Sequence, residues 1–128
     1  MGTGDVITHT FSEPVSPTSV LAGWSGASAA VSVTITNSAS NDTVTVVGVN
    51  LGTIATGGDH VGGTSTVSAT MVMSGSTIRV TLSQNPGSLK TVASSTMVWT
   101  PCGLVRDLVG NAMSTPPRTE IGAPKQNF

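Results

Sequence analysis

Two residues suited to metal binding, Asp107 and Asn111, lie in the stretch DLVGNA. A carboxylate and a side-chain amide supply the oxygen ligands that Ca²⁺ prefers, so Asp107 and Asn111 are a candidate calcium site. The same stretch also suits a tight turn, because Gly110 and Asn111 tolerate positive φ and an aspartate can accept hydrogens from the amides that follow it. The spacing is not that of an EF-hand calcium loop. We therefore predict a turn that Asp107 stabilises, with calcium binding as the alternative.

Other polar residues could form a catalytic or metal site only if the fold brings distant segments together. Glu13 and Asp107 could supply the paired carboxylates of a glycosidase, but no aromatic platform or third polar group accompanies them. His9 and His60 could bind zinc only with help from Cys102. We expect instead a half-buried His9 bonded to the backbone and a solvated His60. The sequence has no GxSxG motif and no phosphate-binding loop, so we expect a protein that is not an enzyme and needs no cofactor.

Charge is scarce in this chain of 128 residues, of which 9% are charged, against roughly 25% in typical globular proteins. The formal net charge is −1 and no basic cluster exists, so nucleic acid is not an expected partner. No apolar run approaches the roughly 20 residues of a membrane-spanning helix, so we expect no membrane insertion. The single cysteine, Cys102, excludes an internal disulfide.

Apolar and polar residues alternate along most of the chain, which predicts strands with one buried and one solvated face. In TIRVTLS, for example, Ile78, Val80 and Leu82 share one face. This segment and TVSATMVM are expected to form a hairpin around Ser74 and Gly75. The segments VSVTIT and TVTVVGV are expected to form a second hairpin around the polar stretch NSASND.

Further strands are predicted near both ends of the chain, over residues 6–11, 96–101 and, as a short piece, 118–121. One stretch departs from the alternation. Ser16 in an N-cap position and Pro17 at the first helical position predict one or two turns of helix.

The Gly-rich segment from Leu51 to Gly63 is predicted to be a long loop, and loops of this length often carry function. About seven strands, with turns about every eight to twelve residues and almost no helix, indicate an all-β protein, an immunoglobulin-like β-sandwich of antiparallel strands. A closed β-barrel is the competing architecture, because the alternation is the same in both.

The motifs FSEPV and DLVGNA, about 90 residues apart, together resemble the bacterial immunoglobulin-like domains that are repeated in surface-layer proteins and adhesins. In that family a strand ending in Phe-Ser-Glu-Pro/Ala-Val opens the domain, and Asp-x-x-Gly-Asn-Ala precedes the last strand. The resemblance implies a single domain over residues 1–128, with its core in residues 5–121 and a tail or linker in residues 122–128. The residues that carry the resemblance are Phe11, Ser12, Glu13, Pro14, Asp107, Gly110 and Asn111.

This resemblance implies a non-catalytic structural or adhesion module of an extracellular or cell-surface protein, acting as a spacer or a binding unit. Its partners would be neighbouring domains of a larger protein and cell-surface or matrix ligands. Loops carry recognition in such architectures, and the expected binding loop contains Gly57, Gly58, Asp59 and His60. The alternative is an accessory domain of a secreted enzyme that binds carbohydrate or calcium.

Overall fold

The computed structural model describes residues 1–121 and shows an all-β protein with one short helix. The predicted tail or linker, residues 122–128, lies outside the described residues. The elements, in chain order, are β1 (Val6–Thr10), α1 (Pro17–Val20), β2 (Ala29–Thr36), β3 (Thr43–Val46), β4 (Thr53–Ala55), β5 (Ser65–Ser74), β6 (Thr77–Leu82), β7 (Val98–Thr100) and β8 (Arg118–Thr119).

All eight strands belong to one antiparallel sheet with the order β1-β6-β5-β2-β3-β4-β7-β8. The sheet curls so that its two halves face each other. As a result, His9 of β1 contacts Trp99 of β7, with 5.1 Å between their ring centroids. The result is roughly a β-sandwich or half-barrel, which confirms the predicted all-β antiparallel class. Among the described residues no ladder joins β1 to β8, so these two strands are the edges of the sheet.

Side-chain alternation builds the core as the sequence predicts. On β6, Ile78, Val80 and Leu82 are buried while Arg79 is exposed. Each fully buried aliphatic side chain contributes about 1.5–3 kcal/mol of transfer free energy. The β5–β6 hairpin forms as predicted, although its two-residue loop is Gly75-Ser76, one residue later than expected, because Ser74 pairs with Thr77.

The predicted helix is confirmed but is a single turn. Ser16 occupies the N-cap position with extended backbone, and Pro17 is the first helical residue. The Ser16 side chain bonds to the hydroxyl of Thr18 at 3.1 Å rather than to a backbone amide. The turn buries Val20 against the core.

The prediction of an uninterrupted loop from Leu51 to Gly63 is wrong. This segment contains β4, which pairs with β3 on one side and β7 on the other. Leu51 and Ile54 are buried in the core. A strand of three residues is too short to show alternation, so its glycine-rich surroundings hid it in the sequence.

The last two strands are short. β7 occupies the middle of the predicted 96–101 segment, and β8 is confined to two residues. Pro116 and Pro117 directly precede β8, and neither can donate a ladder hydrogen bond. In the part of the chain that the structure describes, no helix has the length and apolar character needed to cross a bilayer.

Candidate functional site

A groove of about 1160 Å³ lies between β1 and the C-terminal arm, which we define as residues 111–121. We call it the edge groove, because residues of both edge strands line it. One wall is the continuous segment from Val6 to Glu13. The curl of the sheet creates this groove by bringing its two edges near each other without pairing them.

Three aromatic rings form the floor of the edge groove. Trp99 makes edge-to-face contacts with His9 and Phe11, with ring centroids 5.1 and 5.6 Å apart. Such pairs contribute about 0.5–1.5 kcal/mol beyond the area that they bury. The indole N–H of Trp99 donates to the carbonyl of Leu51 at 2.5 Å, so the tryptophan links β7 to the start of β4.

His9 is much more buried than the sequence suggests, with 4% of its surface exposed. Ile7 and Phe11, two residues away on either side, are buried as well, as alternation along a strand dictates. Its Nδ1 atom has no hydrogen-bond partner in the structure. Burial lowers the pKa of His9 from 6.5 to about 4, and the carbonyl of Ile78 opposes that shift. His9 is therefore neutral at physiological pH.

The stability of the domain is expected to fall as the pH drops from 6.5 towards 4. The unfolded chain protonates His9 near pH 6.5 but the folded chain only near pH 4, so the unfolded state binds more protons in this window. Between pH 7.5 and 4.5 the loss should be about 2.5 kcal/mol. Urea denaturation at both pH values measures it. The His9→Leu variant should lose less over the same range, and an identical loss in both proteins would contradict the assignment to His9.

One edge of β1 pairs with no strand of residues 1–121, and this free edge faces the groove. In the β1–β6 ladder, Phe11 donates its amide to Ser76 and Asp5 accepts from Leu82, each at 2.9 Å. Odd-numbered residues of β1 thus bond to β6, and in an antiparallel pair the alternate residues point their amides and carbonyls away. The outward residues are Val6, Thr8 and Thr10, and all of them line the edge groove.

Asp107 stabilises its turn in the way the sequence predicts. One carboxylate oxygen accepts from the amides of Val109 and Asn111 at 2.9 and 2.8 Å, and the other accepts from the side-chain amide of Asn111 at 2.8 Å. The backbone reverses at Gly110, whose φ is +95°. The hydrogen bond from the Asn111 side chain, with those from backbone amides, lowers the pKa of Asp107.

The geometry of this turn bears on the calcium alternative. Asn111 presents its N–H to Asp107, so both carboxylate oxygens already accept hydrogen bonds. Within residues 1–121, no group of three or more His, Cys, Asp or Glu residues is placed to hold a metal ion.

Addition of millimolar Ca²⁺ is expected to leave the melting temperature unchanged, because calcium would have to displace the hydrogen bonds that Asp107 accepts. Thermal melts with Ca²⁺, with Mg²⁺ and with a chelator measure this directly. A rise specific to Ca²⁺ that disappears in the Asp107→Asn variant would establish the calcium alternative instead.

The fold brings the two sequence motifs into contact. Val15, at the end of FSEPV, forms an antiparallel bridge with Asp107 of DLVGNA. The next amide, that of Ser16, donates to the carbonyl of Arg106 at 2.8 Å. Glu13 is exposed and lines the edge groove together with Asp107. The motifs therefore join the end of β1 to the chain that follows β7 and close one end of the groove.

The predicted binding loop is anchored by a buried carboxylate that the sequence reasoning missed. Asp42 is fully buried and accepts from the amides of Ser38, His60 and Val61 at 2.8, 2.6 and 2.8 Å. An aspartate in a polar turn such as NSASND is unremarkable in sequence, and two of its partners lie 18 and 19 residues away. Asp59 of the same loop forms an ion pair with Lys90 at 2.6 Å.

The expectation of a solvated His60 is wrong, because only 3% of its surface is exposed. Its Nε2 lies 3.3 Å from Oγ of Ser95. Ser95 donates its own hydrogen to the carbonyl of Thr56 at 2.7 Å, so its oxygen is left to accept from the imidazole N–H. Burial lowers the pKa of His60 despite the nearby carboxylate of Asp42.

This cluster contains the residue types of a Ser-His-Asp triad without its hydrogen-bond order. Asp42 accepts from the backbone amide of His60, and the ring Nδ1 has no partner in the structure. In a catalytic triad the carboxylate orients the imidazole and the imidazole takes the serine proton. Here the hydroxyl hydrogen of Ser95 goes to a backbone carbonyl. The cluster is thus arranged to hold chain segments together.

Neither tryptophan is fully exposed on the protein surface. Trp24 is buried and donates its indole N–H to the carbonyl of Ala27 at 2.6 Å. Trp99 is half-buried at the floor of the edge groove. Cys102 is a half-buried free thiol.

The structure thus contains a stabilised turn at Asp107, an anchored loop around Asp42 and an edge groove beside the outer edge of β1. The polar groups of the turn and the loop form hydrogen bonds within the fold, whereas the main-chain groups on the outer side of β1 have no partner among residues 1–121. No family model, no curated protein and no solved structure matches the chain.

Proposed function

We propose that this chain is a non-catalytic structural and binding module of an extracellular or cell-surface protein. The use of its carboxylates carries the proposal. Five of the six acidic side chains hold backbone amides or pair with a cation, which fixes each one in a structural contact. They are Asp5 with Gly2, Asp42 with three amides, Asp59 with Lys90, Asp107 with its turn and Glu120 with the amide of Met97.

The outer surface of the sheet supports the same proposal. Thr34 on β2 and Thr66 on β5 form a hydroxyl–hydroxyl hydrogen bond of 2.9 Å across the ladder. Threonine suits such pleated, half-exposed positions. Salt changes the stability of a protein mainly through its charged groups. Because charge is scarce in this chain, we expect the stability of the fold to depend little on ionic strength. This property fits a module exposed to varying surroundings.

The motif resemblance supplies the expected location. FSEPV and DLVGNA resemble the paired motifs of bacterial immunoglobulin-like domains in surface-layer proteins and adhesins. Their contact through Val15 and Asp107 gives the pair a shared structural purpose, since it joins the first strand to the chain before the last strand.

Surface exposure is tested with antibodies raised against the purified domain and applied to intact and to permeabilised cells of the producing organism. We expect staining of intact cells, and its loss after brief protease treatment of the cell surface. An intracellular protein of known location serves as the control for cell integrity. Staining that appears only after permeabilisation would overturn the proposed location.

A further inference from the structure

We propose that the edge groove binds an extended, basic peptide strand of another protein, which adds to the free edge of β1. The inference rests on the proposed function, because it names the class of partner that this binding module takes. In strand addition, main-chain hydrogen bonds supply affinity and pockets for alternate side chains supply specificity. The edge groove provides both features.

The first feature is the free outer edge of β1. Val6, Thr8 and Thr10 direct their amides and carbonyls away from β6, and they line the groove. Exposed edges of this kind are usually protected by charged residues or proline. The sequence VITHT of β1 contains neither lysine nor proline. Its five residues span about 17 Å, enough for a partner strand of about five residues.

The second feature is the apolar floor beside that edge. The half-buried side chains of Trp99 and Met97 line the groove, and the buried Phe11 and Ile54 lie beside them. A strand bound along β1 would place every second side chain towards this floor. The groove volume of about 1160 Å³ exceeds that of most small-molecule pockets, which suits several residues of extended chain.

The charge of the rim selects a basic strand. Three carboxylates line the groove, those of Glu13, Asp107 and Glu120, against one guanidinium, that of Arg118. Their net charge of −2 exceeds in magnitude the −1 of the whole chain. Glu13 is exposed, and it makes no ion pair with any residue that the structure describes. A lysine or arginine of the partner would complement it.

The test uses the full chain and a fluorescein-labelled heptapeptide, KVTVTVK, capped at both ends. Fluorescence anisotropy measures its dissociation constant. Two matched peptides are controls: EVTVTVE reverses the charge, and KVTPTVK removes the central amide and disfavours pairing. We expect KVTVTVK to bind at least tenfold more tightly than either control.

Variants of Thr8 separate main-chain pairing from side-chain contact. Thr8→Pro removes an amide that points away from β6, so it should spare the β1–β6 ladder and weaken peptide binding at least tenfold. Thr8→Ala keeps this amide and should bind the peptide like the wild type. Glu13→Gln should weaken the binding of KVTVTVK several-fold and should not weaken the binding of EVTVTVE. Equal melting temperatures of the variants and the wild type confirm that each one folds.

Amide hydrogen exchange identifies what occupies the edge. We expect the Thr8 amide to exchange quickly in the free chain and to become protected when KVTVTVK is added. Protection without peptide that is independent of concentration would assign the edge to another segment of this chain. Protection that grows with protein concentration would assign it to a second copy. Either result, or failure of the peptide to bind, overturns the inference, whereas the antibody experiment on intact cells tests the proposed function separately.

Discussion

Replacing Gly52 with alanine is expected to destabilise the domain by about 3 kcal/mol or more. Gly52 directly precedes β4 and has a φ of +80°, where an L side chain is strained. An added Cβ would lie 2.1 Å from the carbonyl oxygen of Thr100 and 2.9 Å from the amide nitrogen of Cys102. Both are backbone atoms, so β4 would have to move away from β7.

Gly48→Ala is the matched control for this prediction. Gly48 has a similar φ of +70° but no atom within 4 Å of the position that its Cβ would take. It should therefore show the conformational cost alone, about 1 kcal/mol. Denaturant unfolding of both variants measures the difference. Equal losses would mean that β4 and β7 are not packed as closely as the structure places them.

The Asp42→Ala variant lacks a buried carboxylate, and its free energy of unfolding is expected to be about 3–5 kcal/mol lower than that of the wild type. Asp42 is fully buried, and its two oxygens accept from three backbone amides. Each buried donor left without a partner costs about 1–3 kcal/mol. The loss should also loosen the loop that carries His60, since the amides of His60 and Val61 are two of those donors.

Asp59→Ala is the matched control, because it removes a carboxylate from the same loop at a more exposed site. The ion pair of Asp59 with Lys90 is partly exposed, with side-chain exposures of 25% and 44%. Pairs of this kind contribute at most about 1 kcal/mol. Urea titrations of both variants give the two losses. A loss in Asp42→Ala as small as that in Asp59→Ala would contradict the anchoring role of Asp42.

Gly52 bears on the edge groove through β4 and β7. Gly52 allows β4 to approach β7, and β7 supplies Trp99 to the groove floor. The bridge between Val15 and Asp107 closes one end of the groove.

Local features of the protein could be predicted because they depend on neighbouring residues. Alternation along β6 and the link at Gly75 predict the β5–β6 hairpin. The fixed φ of Pro17 predicts where α1 begins. Asp107 and Gly110 lie three residues apart, so the turn between them follows from their conformational preferences alone.

The remaining features could not be predicted because they depend on residues far apart in sequence. β4 is a strand only because β3 and β7 lie on either side of it. His60 is buried because Asp42, 18 residues earlier, draws its amide inwards.

The sequence by itself determined the all-β class, the hairpins, the helical start and the turn at Asp107, because backbone preference and alternation act over a few residues. Only the tertiary structure decided that β1 keeps a free edge and that Trp99 lies beneath it. The order of strands depends on long-range packing, which the local pattern of residues does not encode.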